Sequence, residues 1–404
     1  MIALPTNRDE NWRYANLRPL AKASAAAVAA DAIDSDAPML GPAALPPPLP
    51  GFERWVFIDG RLSSAHAAIA GSPARIVDAR AAGAAFEALL DASIADAGVD
   101  FALARINAAR GDQVLHLDLP DDATAHIELV FVATAPAARG TAYPRVQIHA
   151  GRHSRLDLVE RHLSAANADS AVNAAVDLAL ASDAVVEHNR VQNVAETALC
   201  FDTLFAHVGD RARYALRTVT LGGLTSRSTL FIKLAGRAAR CELNAASVAN
   251  GIQTHDVFAE IDHAAPATVT RELFRGIATE RGKLAFNGKI IVRENAHESD
   301  SEQSLKSLLT GLGAEASARP QLEIYTDRVR AAHGATTGKL DDQMLFYLLS
   351  RGIERSTAQA LLQWAFIEDA VSRVAPQALR ADVERAIVAQ LSDVASLDGL
   401  LGKT

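Results

Sequence analysis

From about residue 111 the chain reads in twos. Leu115, Leu117 and Leu119 alternate with His116 and Asp118; Ile127, Leu129, Phe131 and Ala133 repeat the pattern, as do Leu230, Ile232 and Leu234. A period of two puts the apolar residues on one face of a strand. Gly151, Gly209-Asp210, Gly222-Gly223 and Gly236 punctuate the strands as turn signals. The pattern persists to about residue 330, far beyond an ordinary sandwich of about 100 residues. Two sandwiches, a barrel or a solenoid would each absorb it, and no clean repeat period selects among them.

The flanks read differently. Pro42 and the run Pro46-Pro47-Pro48-Leu49-Pro50 form a stiff connector, because proline fixes φ and has no N–H to donate. Trp55-Val56-Phe57-Ile58 followed by Asp59-Gly60 predicts a strand entering a tight hairpin, and Ala84 to Ile106 predicts a helix. After residue 339 the period becomes helical. Asp341 is placed to cap a helix running to Ser350 and closed by Gly352. Ser356 with Gln359 predicts a capping box for the next helix. Ala360, Trp364, Ile367, Val371 and Val374 make its apolar stripe; Leu379, Val383, Ile387, Leu391 and Val394 make another. The expected domains are therefore 1–110 (helical, with the proline-rich connector and a hairpin), 111–338 (β) and 339–404 (helical).

Composition narrows the function. The 404 residues carry a net charge of −8 and no basic run, whereas binding to nucleic-acid phosphates requires clustered Lys and Arg. Two cysteines, Cys200 and Cys241, are too few for a disulfide scaffold and point to a reducing compartment. With no signal-like start and no apolar run of about 18 residues, a cytoplasmic protein without membrane contact is expected. The tail Gly399-Leu400-Leu401-Gly402-Lys403-Thr404 has only two residues between its glycines, too few for a phosphate loop. His297-Glu298 lacks the second histidine of a zincin motif, and no G-x-S-x-G elbow occurs. Nothing in the residues themselves announces catalysis.

Several segments, taken as a set, resemble the SufB/SufD family of iron–sulfur cluster assembly proteins. They are Pro5-Thr6-Asn7-Arg8-Asp9-Glu10-Asn11-Trp12-Arg13-Tyr14; His263 and Pro266; Phe286-Asn287-Gly288-Lys289-Ile290; Asp300 and Gln303 before Leu308-Leu309; Pro320 to Ile324; His333-Gly334-Ala335-Thr336; and Phe346-Tyr347-Leu348 through Ser350-Arg351-Gly352-Ile353. The resemblance is closest over about residues 255–370. It implies a mainly β fold: a right-handed parallel β-helix flanked by N-terminal and C-terminal helical domains. It also implies a non-ATPase subunit of the SUF complex. The expected partners are a SufB-like scaffold, met through the β-helix, and a SufC-like ABC ATPase, docked on the C-terminal helices. Whether the isolated chain pairs with itself as a homodimer is left open by the sequence.

Gly334, where SufB-like sequences carry Glu, points to the SufD side of the family. The resemblance implies that His333 meets iron or a nascent cluster at the subunit interface, at a junction between a last strand at Gln321–Tyr325 and the first C-terminal helix, with a structural hydrogen bond at the end of the β-helix as the competing role. Ala331 stands where SufD-like sequences often have Cys, so no thiol is offered there. Met344, Phe346, Tyr347 and Arg351 are the candidate ATPase contacts, with core packing as the competing role for the first three. Phe286-Asn287-Gly288 reads as a turn, and Trp12 and Tyr14 as anchors of the first helix. No cofactor is expected to bind this chain stably. Iron or a cluster would pass through the complex, ATP would bind the partner, and reduced flavin is a candidate for the complex. The rival readings are a SufB-like scaffold, which needs soft thiolate ligands, and a β-helical carbohydrate-active enzyme, which needs paired carboxylates and stacking aromatics.

Overall fold

The computed structural model describes residues 2–28, 45–63, 74–78, 98–135, 137–165 and 169–391. From Gln113 to Gly338 successive strands go alternately into two sheets, each pairing in parallel with the strand two before and two after it. This is a parallel β-solenoid, so of the three architectures open to the alternating pattern, stacking of coils is the one realised. Sheet I runs from the hairpin Glu53–Ile58/Arg61–Leu62 to Val329–Gly338, and sheet II from Ala74–Asp78 to Glu315–Ile324. The apolar faces meet between the sheets, where Leu117, Leu158, Leu204, Leu243 and Ile261 are fully buried.

One ladder across sheet I shows why no period was visible. Ile127, Leu158, His188, Leu216, Leu243, Glu272, Gln303 and His333 stand side by side, separated by 27 to 31 residues. The turns that feed sheet I repeat in geometry instead. Asp122, His153, Asp183, Arg211, Ala238, Ala267 and Glu298 all have φ between 56° and 63°. Each N–H donates to a carbonyl of the next coil, as Arg211 does to Arg237 and Glu298 to Arg328. A left-handed residue other than glycine costs about 1–2 kcal/mol, and burying one leucine returns about 1.5–3 kcal/mol. The stacked apolar face therefore dictates the turn. Gly236 is needed for closeness: a Cβ there would fall 2.0 Å from the Asp210 nitrogen in the coil beneath.

The start of the solenoid is closed. Glu53–Ile58 lies parallel to Thr124–Ala133 and then turns at Asp59 (φ 48°) and Gly60 (φ 89°) into antiparallel Arg61–Leu62. Ala74–Asp78 pairs antiparallel with Gln113–Leu119 and covers the first edge of sheet II. The chain before residue 110 thus supplies strands to both sheets. Among the described residues it has two short helices, α1 (Leu20–Ala23) and α2 (Ala102–Arg110). Residues 84–97 of the expected long helix, Pro42, Val394 and the 399–404 tail lie outside the described residues. Trp12 anchors a single 3-10 turn, Glu10–Trp12; it is buried, donates from Nε1 to Asp100 Oδ1 (2.7 Å) and lies under the Arg227 guanidinium at 4.2 Å, whereas Tyr14 is exposed.

Among the described residues three helices follow the last strand: α3 (Asp342–Ser350), α4 (Arg355–Val371) and α5 (Gln377–Gln390). Asp341 caps α3, its carboxylate accepting from the N–H groups of Gln343 (2.8 Å) and Met344 (3.1 Å), and Gly352 closes it at φ 81°. The capping box expected at Ser356 does not form, because α4 starts at Arg355 with Glu354 as its cap residue, leaving Ser356 inside the first turn. Ile367 and Val371 of α4 and Leu379, Val383 and Ile387 of α5 pack on Val191, Val219, Val248 and Ile277 of sheet I's outer face. Buried Arg275 holds α4 through Asp369 (2.6 Å), and buried Arg161 holds α5 through Asp382 (3.0 Å). Both faces of sheet I are therefore covered along its middle strands.

Candidate functional site

Among the described residues nothing covers the far end of the solenoid. Val329–Gly338 and Glu315–Ile324 are the outermost strands of their sheets, and most of their residues are exposed or half-buried. Their free edges carry a row of backbone donors and acceptors aligned for another strand. Pro320, mid-strand in Glu315–Ile324, suits such an edge because it cannot donate into a ladder.

His333 stands in the middle of Val329–Gly338. The chain makes one more strand after Gln321–Tyr325, so His333 is a strand residue and not part of a junction with the helices. It pairs with Gln303, and Gln303 pairs with Glu272, on the ladder that faces the solenoid interior. Side chains in register on parallel strands point the same way, so the imidazole is the outermost member of an inward-facing row that runs through Ile127 and Leu158. Ala331 ends the adjacent ladder, beyond Thr270 and Ser301.

The interior changes character as it nears this end. Leucines give way to Glu272 (3% exposed) and Gln303 (2% exposed). Gln303 Nε2 donates to Glu272 Oε2 at 2.6 Å, while Gln303 Oε1, Glu272 Oε1 and Ser301 Oγ are buried without a protein partner. Burial pushes the Glu272 carboxyl up to about 8, against the Gln303 hydrogen bond that lowers it, so the buried acid is mostly neutral at pH 7. Gly288 faces the pair across the interior. A Cβ there would come within 2.8 Å of Gln303 Nε2 and 3.0 Å of Glu272 Oε2. Phe286-Asn287-Gly288 is thus no turn: it lies within the strand Lys283–Val292, and the glycine makes room for polar side chains.

A second buried polar group, deeper in the solenoid, is satisfied within itself. Burial would raise Glu160, but Arg190 and His162 beside it, together with His188 (3.0 Å), hold it well below the usual carboxylate range. Arg190 also pairs with Asp202 at 2.6 Å, and Ser228 donates to that carboxylate at 2.7 Å. Cys200 borders this group, its thiol pushed up to about 12 by burial and by Asp202; Cys241 is also buried and raised. His263 is buried neutral between Thr268 Oγ1 (2.8 Å) and Thr270 Oγ1 (2.9 Å), with burial lowering it to about 4. Among the described residues no cluster of three or more His, Cys, Asp or Glu is arranged to hold a metal ion.

Sequence comparison then fixes the family. Residues 131–366 match the family described as the SUF system FeS cluster assembly SufBD core domain. The chain belongs to the SufBD core family. It is 26% identical over 392 residues to the iron–sulfur cluster assembly protein SufD of Escherichia coli, a match covering 94% of this chain and 88% of that one. A SufBD family protein of Synechocystis is 29% identical over 50% of this chain and 45% of its own, and SufD of Plasmodium berghei is 26% identical over 60% of this chain and 18% of its own. The chain is SufD-like, and the matched SufBD core takes in the bare end, Glu272, Gln303 and His333.

The match also reaches α3. There Leu345 turns inward while Met344, Phe346 and Tyr347 are exposed, which removes core packing as their role. The Arg351 guanidinium lies 5.2 Å from the Tyr347 ring and extends this face. Exposed large apolar side chains contiguous on one short helix mark an interaction surface. Glu272 was missed from sequence because a lone polar residue in a strand looks solvated; the mid-strand Gly288 was the available signal. No helix among the described residues is long and apolar enough to cross a membrane.

Proposed function

We propose that this chain is the SufD-type, non-ATPase subunit of a SUF iron–sulfur assembly complex. Its bare solenoid end pairs with a SufB-like subunit, and α3 docks a SufC-like ABC ATPase through Met344, Phe346, Tyr347 and Arg351. The chain catalyses no ATP chemistry itself. Iron(II) or a nascent cluster passes His333 as cargo, with ATP bound in the partner and reduced flavin, if used, supplied within the complex. Without a partner, the free edges favour pairing with a second copy.

The observation that carries this reading is the combination of two unpaired parallel edges with an inward-facing histidine on the outermost strand. A neutral imidazole is a good ligand for a borderline metal such as iron(II), while both cysteines of this chain are buried and raised, which opposes an independent thiolate scaffold. Purification of the complex from its own host tests the reading. Phe346→Ser with Tyr347→Ser is expected to remove the ATPase and leave the SufB-like subunit bound; retention of the ATPase would refute docking on α3. Substitutions at these exposed positions leave α4 and α5 packed on the apolar outer face of sheet I. His333→Ala is expected to leave the complex assembled and sharply lower its iron.

A further inference from the structure

Glu272, Gln303 and His333 occupy three consecutive positions of one interior ladder, on strands about 4.8 Å apart. Glu272 is two strand spacings from His333, about 9.6 Å at the backbone, too far for the two to share a metal directly. Gln303 lies between them. Its amide nitrogen is committed to Glu272 at 2.6 Å, and Gly288 leaves the pair just enough room. Its carbonyl oxygen is buried and has no protein partner. The adjoining side chain on the remaining flank is the imidazole of His333.

We propose that Gln303, anchored by Glu272, is the positioning residue of His333: when a partner covers the open end and turns the exposed imidazole inward, the unpartnered Oε1 accepts the N–H of one ring nitrogen and leaves the other nitrogen's lone pair for a borderline divalent metal. The proposal rests on the reading of His333 as a ligand. Its physical basis is general. A ligating imidazole needs its second nitrogen held by an acceptor, which fixes the tautomer and raises the basicity of the first. An amide is an ambiguous partner until one end is taken, and Glu272 takes the nitrogen end. The mostly neutral state of Glu272 adds a second effect, since no full negative charge beside Gln303 draws a cation past His333. Solvation differs along the row as well: Gln303 is sealed from water, and a partner covering the end would seal His333 against it.

The test uses the complete complex, purified anaerobically, with iron content, subunit stoichiometry, melting temperature and the ring-nitrogen spectrum of isotope-labelled histidine as readouts. Gln303→Leu is expected to lose about tenfold in iron retention, the lower range for removing a partner of a metal-bound histidine, with stoichiometry unchanged. The His333 nitrogens are expected to pass from one fixed tautomer to a mixture. Gln303→Glu, which keeps an acceptor, should restore the fixed tautomer. In a His333→Ala background, Gln303→Leu should lower iron no further. Additional loss there, or an unchanged tautomer in Gln303→Leu, overturns the proposal. If His333→Ala itself keeps its iron, the ligand reading fails, and the nitrogen spectrum still decides whether Gln303 holds the ring. Gln303→Met, closer in shape, serves where Gln303→Leu lowers the melting temperature.

Discussion

The two ends of the solenoid solve the edge problem in opposite ways. At the start, an antiparallel hairpin finishes sheet I and an antiparallel strand covers sheet II, over an interior of Leu, Ile and Phe. At the other end both parallel strands stop uncovered, over Glu272, Gln303, Ser301 and His333. An uncovered edge is a standing invitation to pair, and buried polar atoms without partners cost about 1–3 kcal/mol each. The start is finished by strands of the chain itself. The other end accepts a stability cost at a surface made to be completed.

A single ladder allows this contrast to be broken at matched positions. Ala245 and Ala335 both belong to the row Leu129, Glu160, Arg190, Thr218, Ala245, Phe274, Leu305 and Ala335. Ala245 is 2% exposed within the core, so Ala245→Lys buries an unpaired charge and is expected to cost more than about 4 kcal/mol. Denaturant melts of the isolated chain measure it. Ala335→Lys is expected to leave the melt nearly unchanged and to weaken binding of the SufB-like subunit by more than about tenfold, because the new ammonium is desolvated only on assembly. Equal destabilisation by both substitutions would remove the contrast.

Glu272 sharpens the comparison through pH. Its folded value of about 8 lies above the ordinary 4.5. The folded state therefore binds more protons between those values, and stability falls as pH rises. The contribution is full below about pH 4.5, declines by about 1.4 kcal/mol per pH unit toward pH 8, and is lost above it. Glu272→Gln removes that slope, so the variant is expected to gain on the native chain as pH rises from 5 to 8. Parallel profiles would show that Glu272 is not held protonated. The smallest effect is expected for Ala331→Cys: within about 0.5 kcal/mol in the melt, since the site is only partly buried and unstrained.

The alternation at Leu115, Leu117 and Leu119 made the strands legible, and Asp341 with Gly352 gave both ends of α3. Gly151, Gly209 and Gly236 marked where turns fall, but the left-handed residues within the turns were not legible, since Arg211, Ala238 and Glu298 adopt a backbone state that their side chains do not advertise. Nor was the direction each strand faces. In Val269–Ala278 the polar Thr270 and Glu272 point inward while Leu273 and Ile277 face outward, toward α4 and α5. A period of two tells which residues share a face, and it names the buried face only when the other meets water. His333 was found through family resemblance, and its supporting row became visible only with the register.

The left-handed turn residues also act as a reading frame. From Asp122, His153, Asp183, Arg211, Ala238, Ala267 and Glu298 the chain advances the same five residues to Ile127, Leu158, His188, Leu216, Leu243, Glu272 and Gln303. Coil length drifts, yet phase is reset at every turn. A residue gained in the loop just before such a point, as between Val292 and Glu298, lengthens that loop and leaves the next strand in phase. The same residue gained between Glu298 and Gln303 would exchange the strand's inner and outer faces, carrying Gln303 out to solvent and leaving Glu272 alone in the dark.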